Sequence, residues 1–148
     1  MRRVVATMAV VAVSLAACGG GSDGIVVTDA RMGQPTGPNA AVYFTASNSG
    51  EQADRLIGAS TDVAASVEIH ESTMADDGTM GMQPVDGLDI TPGGELTLEP
   101  GGYHLMLVDA ERLDVGDMVE VTLNWEKAGE MTVDVEVVDP SETMDMGG

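Results

Sequence analysis

Cysteine is all but absent from this chain: among its 148 residues only Cys18 occurs. No disulfide can therefore form within the chain, and no thiolate cluster is available to hold a metal. Aromatic residues are also scarce. Tyr43, Phe44, Tyr103 and Trp125 are the full set, so Val, Ile, Leu and Met must fill most of any interior. Positive charge is equally thin, with 6 Lys and Arg against 25 Asp and Glu and a formal charge of −19. Nucleic acid binding rests on cations that neutralise phosphates, and this balance excludes it as a partner. An anionic lipid surface is disfavoured as an electrostatic partner for the same reason. Neither a nucleophile elbow nor a His-Glu-x-x-His segment is found, so the sequence predicts a protein that is not an enzyme.

The one long apolar run lies at the start. Arg2 and Arg3 precede the mostly apolar Val4 to Val13, a stretch short for a membrane span and suited to a signal peptide over residues 1–17. Leu15-Ala16-Ala17-Cys18 then resembles a bacterial lipobox, in which the cysteine is lipidated after cleavage. Residues 18–24 read as the lipidated Cys18 and a flexible tether. The expected location is outside the cytoplasm, lipid-anchored on the outer face of the cytoplasmic membrane or in the periplasm, with the anchor as the sole membrane contact.

Residues 25–139 read as one domain of short strands separated by Gly, Pro, Asn and Asp, with no amphipathic helix. Nine strands are predicted: Ile25–Ala30, Ala40–Ser47, Asp54–Ser60, Ser66–Glu71, Leu88–Ile90, Glu95–Leu98, His104–Val108, Met118–Trp125 and Met131–Val138. The fold class is therefore all-β, a sandwich or barrel. The last two strands, joined across Gly129, read as a hairpin. Residues 140–148 lack apolar periodicity and are expected to form a disordered, Met-bearing tail.

Against this plain background stand two histidines and two methionines, His70, Met82, His104 and Met106, spaced His-x11-Met-x21-His-x-Met. Thioether sulfur selects Cu(I), and imidazole also suits copper. In Tyr103-His104-Leu105-Met106-Leu107 the alternation of a strand sends His104 and Met106 to one side and the apolar residues to the other. His70 is likewise opposed to Val67 and Ile69. Residues Glu71 to Gly81 read as an exposed loop that brings Met82 back, and the four ligands should converge at one end of the sandwich. Met74 and Met80, and Met144 and Met146 in the tail, are possible auxiliary ligands. Asp76-Asp77-Gly78 lacks the alternating acids of a calcium loop and reads as a turn. A blue-copper electron carrier would need a Cys thiolate, and Cys18 lies in the wrong place for one.

His70, Met82 and the run Pro100-Gly101-Gly102-Tyr103-His104-Leu105-Met106-Leu107 closely resemble the periplasmic copper chaperones of the PCu(A)C type. Asn48-Ser49-Gly50, Ala53-Asp54-Arg55-Leu56 and Gly116-Asp117 extend the likeness over nearly all of the domain. That family's motif has an optional Met after the first His, a position held here by Glu71. The resemblance implies a cupredoxin-like Greek-key β-sandwich of about eight or nine short antiparallel strands, monomeric, binding Cu(I) through His and Met. It also implies delivery to the binuclear copper centre of cytochrome c oxidase. The partner would be the copper-bearing oxidase subunit or a thiol-containing assembly factor. A metal-free envelope lipoprotein with an adhesion or interaction role, and a copper storage or tolerance protein, are the alternative readings.

Overall fold

A computed structural model describes residues 24–144. The expected signal peptide, the Cys18 at which lipidation is expected and Met146 of the tail lie outside the described residues. Among the described residues there are ten strands: β1 (Ile25–Gly33), β2 (Ala40–Asn48), β3 (Asp54–Ser60), β4 (Ser66–Met74), β5 (Met80–Pro84), β6 (Leu88–Ile90), β7 (Glu95–Leu98), β8 (Tyr103–Val108), β9 (Met118–Trp125) and β10 (Gly129–Val138). A five-residue helix, α1 (Pro140–Met144), follows. The hydrogen-bonded order is β5-β4-β8-β2-β1-β10-β9-β3-β6, with β7 paired to β2 beside β8. The all-β expectation holds, and β9 and β10 form the predicted hairpin, with Trp125 opposite Gly129.

Alternation explains why these segments become strands around one core. In β2, Ala40, Val42, Phe44 and Ala46 are buried while Ala41, Tyr43, Thr45 and Ser47 are only half covered. In β9 the buried set is Val119, Val121, Leu123 and Trp125. Leu105 and Leu107 of β8 and Ile69 of β4 join the same apolar cluster as Leu56 of β3. The two arms of the sheet thus fold onto each other and keep the faces opposite these residues for other uses.

Four expectations need correction. Among the described residues there are ten strands against an expected count of about eight or nine, and β1 pairs with β10 in parallel, Arg31 opposite Glu136. Glu71 to Gly81 is not simply a loop: β4 continues to Met74 and turns into β5, so Met82 comes from a strand. Residues 75–79 alone make the turn, where Gly78 has φ +83° and Asp77 Oδ1 accepts the Thr79 N–H at 2.9 Å. Asp76-Asp77-Gly78 is part of that turn, as expected. Residues 140–144, expected to be disordered, form α1, which lies against β1 with Thr143 buried near Gly33. Asp139 caps it, its Oδ1 accepting the Ser141 N–H at 2.9 Å, and Pro140 occupies the first helical position, where a missing N–H costs nothing.

Candidate metal centre

Strand register brings the four predicted ligands to one face. In β4 and β8, His70 lies directly opposite His104, and Glu68 opposite Met106. In β4 and β5, Ser72 lies opposite Met82, and His70 opposite Pro84. Directly opposed residues, and residues two apart on a strand, share a face. Glu68, His70, Met82, His104 and Met106 therefore lie on the side away from Ile69, Leu105 and Leu107. The site is on the sheet face near its β5 edge, not at the end of the sandwich as expected, because the ligands are carried by strands and not by end loops.

The local sequence sets this alignment. Gly101, at φ +84°, adopts the left-handed conformation open to glycine in the turn after Pro100. The turn closes with the Gly102 N–H donating to the Glu99 carbonyl at 3.0 Å, and the Gly102 carbonyl accepts the Ser72 N–H at 3.0 Å. β8 thus enters the ladder with His104 beside His70. Ala41 of β2, opposite Met106, is small enough to leave that side chain room.

The two imidazoles are held with one nitrogen engaged and the other open. His70 Nε2 lies 2.7 Å from Glu68 Oε2, so in the neutral ring Nε2–H donates to the carboxylate and Nδ1 keeps its lone pair. That Nδ1 is buried and has no hydrogen-bond partner. His104 is 2% exposed and its Nε2 is also buried and unpartnered, while the ring bonds to the Gly102 backbone. Burial pushes the His104 pKa below its ordinary value and nearby His70 adds to this, the bond to Gly102 opposing them in part. His104 is accordingly kept in the neutral form that a metal requires.

An unpaired buried polar atom costs about 1–3 kcal/mol, and two neighbouring imidazoles that each leave one have the form of a ligand pair for a single ion. The ring centroids are 5.7 Å apart at an interplanar angle of 70°. Two imidazoles sharing one ion at about 2 Å from each nitrogen would place their centroids about 5–6 Å apart. Among the described residues no group of three or more His, Cys, Asp and Glu is placed to hold a metal. Met106 and Met82 offer neutral sulfur donors on this face, which suit a soft ion.

Two supporting residues were not singled out from the sequence. Glu68 orients His70, and Tyr43 of β2 flanks His104 with ring centroids 6.4 Å apart. Glu68 was legible in principle, since a residue two before His70 on a strand shares its face. Tyr43 was not, because its place depends on the pairing of β2 with β8. Met74 and Met80 lie on the ligand face of the β4–β5 hairpin, directly opposite each other. Of Met144 the structure describes only its place at the end of α1.

Comparison with known proteins gives a consistent picture. A family model described as "Putative lipoprotein LpqE-like" matches residues 25–137. A protein of Leifsonia xyli subsp. xyli named as a putative lipoprotein is 31% identical over 120 residues, covering 80% of this chain and 72% of that one. The copper-bound PCuAC domain from PmoF2 superposes with a TM-score of 0.68 at 32% identity, covering 81% of this chain and 97% of that domain. The solution structure of CuI-DR1885 from Deinococcus radiodurans gives a TM-score of 0.59 at 30% identity, covering 80% and 79%.

Proposed function

The chain belongs to the LpqE-like family, related to the PCuAC domains, and from that premise we propose that it is a copper carrier of the cell envelope. It binds one Cu(I) through His70, Met82, His104 and Met106 and passes the ion to an acceptor. The single observation that carries this reading is the pair of buried, unpartnered nitrogens, His70 Nδ1 and His104 Nε2, on the face that also bears Met106 and Met82. The copper-bound domains among its structural relatives support the choice of metal.

Neutral ligands suit a carrier. Two imidazoles and two thioethers leave the bound Cu(I) with its single positive charge, and thioethers cannot close into a disulfide in an oxidising compartment. Glu68 holds the His70 tautomer, and Tyr43 shields one side of His104. Met82, on the free edge strand, is the ligand most easily displaced. Release then proceeds by replacement, each Cu–S or Cu–N bond breaking as an acceptor thiolate forms a new one, with no electron transferred. The acceptor in this proposal is the copper-bearing subunit of cytochrome c oxidase or a thiol-containing assembly factor. Export and lipidation at Cys18 would keep the carrier at the membrane face where such an acceptor assembles.

Anaerobic titration with Cu(I) against a competing chelator tests the site. The intact chain should hold one tight equivalent, and the double variant His104→Ala/Met106→Ala should lose it. Retention of the parent affinity by that variant would refute the assignment. Metal transfer from the loaded chain to a purified oxidase copper subunit, followed spectroscopically, tests the delivery role.

A further inference from the structure

The face that bears the proposed ligands does not end at Met82. It continues outward along the β4–β5 hairpin, where Met74 lies directly opposite Met80 and Met82 lies opposite Ser72. The turn closes with the Ala75 N–H donating to the Thr79 carbonyl at 2.9 Å. The next pair inward, Met74 with Met80, is therefore of the non-hydrogen-bonded kind, whose side chains stand closest, with Cα atoms about 4.5 Å apart. Met74, Met80 and Met82 are 71%, 57% and 60% exposed. Methionine normally serves a protein by filling irregular gaps in its core, as buried Met32 and Met131 do here. Three solvated thioethers on one face of a five-residue edge strand and its partner have no packing task.

We infer that Met74 and Met80, with the sulfur of Met82 as a shared third ligand, form a second and weaker Cu(I) station at the tip of this hairpin. From there the ion is handed to His70 and His104. This rests on the reading of the histidine pair as the main site. Thioether-only coordination selects a soft monovalent cation. The tip is held by the bond from the Thr79 N–H to Asp77, and the carboxylates of Asp76 and Asp77 beside it lend a negative potential that draws a cation in.

Two residues along a strand span about 7 Å. Met82 therefore lies midway between Met80 and Pro84, the partner of His70, and its three rotatable bonds let the sulfur serve either side. In the hand-over the bonds from copper to Met74 and Met80 break as bonds to His70, His104 and Met106 form, and Met82 stays attached. All these ligands are neutral, so copper remains Cu(I) and neither proton nor electron is exchanged.

The test is an anaerobic Cu(I) titration of the intact chain, read by methionine methyl NMR and by chelator competition. The expected result is a second, weaker equivalent, held by Met74 and Met80 alone once Met82 is engaged at the loaded main site, that shifts the methyl signals of Met74 and Met80. The double variant Met74→Leu/Met80→Leu should lose this equivalent and keep the first, and Met118→Leu, at an exposed methionine on β9, should change neither. Methyl signals of Met74 and Met80 that stay unmoved through two equivalents would overturn the inference. So would a Met74→Leu/Met80→Leu protein that keeps both equivalents but transfers copper more slowly, because the row would then be a docking surface. If His70→Ala/His104→Ala retains the tight equivalent while Met74 and Met80 still shift, the histidine assignment fails and the hairpin station stands.

Discussion

At the scale of the residue, chemistry is decided by which atom of a side chain is left free. A histidine can present either nitrogen, and the neighbour that takes one determines the other. Glu68 takes His70 Nε2 at 2.7 Å and leaves Nδ1; the Gly102 backbone leaves His104 with Nε2. Outer partners of this kind typically contribute about 10–100-fold to metal affinity. Glu68→Ala should therefore weaken Cu(I) binding by about that factor without unfolding the protein, since Glu68 is exposed. Chelator competition and circular dichroism on the same sample check both halves of that statement.

At the scale of the element, the sheet depends on turns and caps built by single polar groups. Asp54, at the start of β3, receives the N–H groups of Arg55 and Lys127 on Oδ1, at 2.8 and 2.9 Å, and that of Ala128 on Oδ2 at 2.9 Å. It thereby ties β3 to the β9–β10 turn. Burial alone would raise its pKa, but the N–H groups of Lys127, Arg55 and Ala128 and the Lys127 charge outweigh it and lower the value below the ordinary 3.8. Asp54→Asn would set an amide N–H against a backbone N–H and should cost about 1–3 kcal/mol at neutral pH. The carboxylate's contribution is present above the unfolded value near 3.8 and is lost as pH falls through the lower folded one. Urea unfolding should accordingly show the parent's advantage over Asp54→Asn at pH 7 and its decline on acidification below pH 3.8.

Legibility also differed from element to element. β3, β6, β7 and β9 occupy the predicted spans, because their alternation or apolar content is enough to mark them. β5 was missed: Met80-Gly81-Met82-Gln83-Pro84 has no β-branched residue and contains both Gly and Pro. Such a segment becomes a strand only because β4 offers it an edge, where Pro84 is tolerated. α1 was missed although Asp139, Pro140 and Glu142 form a recognisable helix start; five residues leave no room for apolar periodicity to show.

At the scale of the whole molecule, the proposed cargo is linked to folding. Cu(I) that binds only the folded chain stabilises it by mass action, about 2.7 kcal/mol when free ion stands at 100 times the dissociation constant. Thermal unfolding of the intact chain should therefore shift upward with buffered Cu(I), and His104→Ala/Met106→Ala should show no such shift. The molecule's heavy negative charge keeps it soluble and favours cationic over anionic surfaces as encounter partners.

Composition and spacing by themselves determined the chemistry available to this chain: soft neutral ligands, no core thiol, an all-β domain, and His104 and Met106 on one side of a strand. These are properties of residue type and of the two-residue period, which act locally. Only the tertiary structure decided that His70 stands opposite His104, that Met82 rides an edge strand, and that Met74 and Met80 extend the same face. Register between strands distant in sequence is set by how the buried faces, Leu105 and Ile69 among them, pack into one core, and no local pattern carries that information.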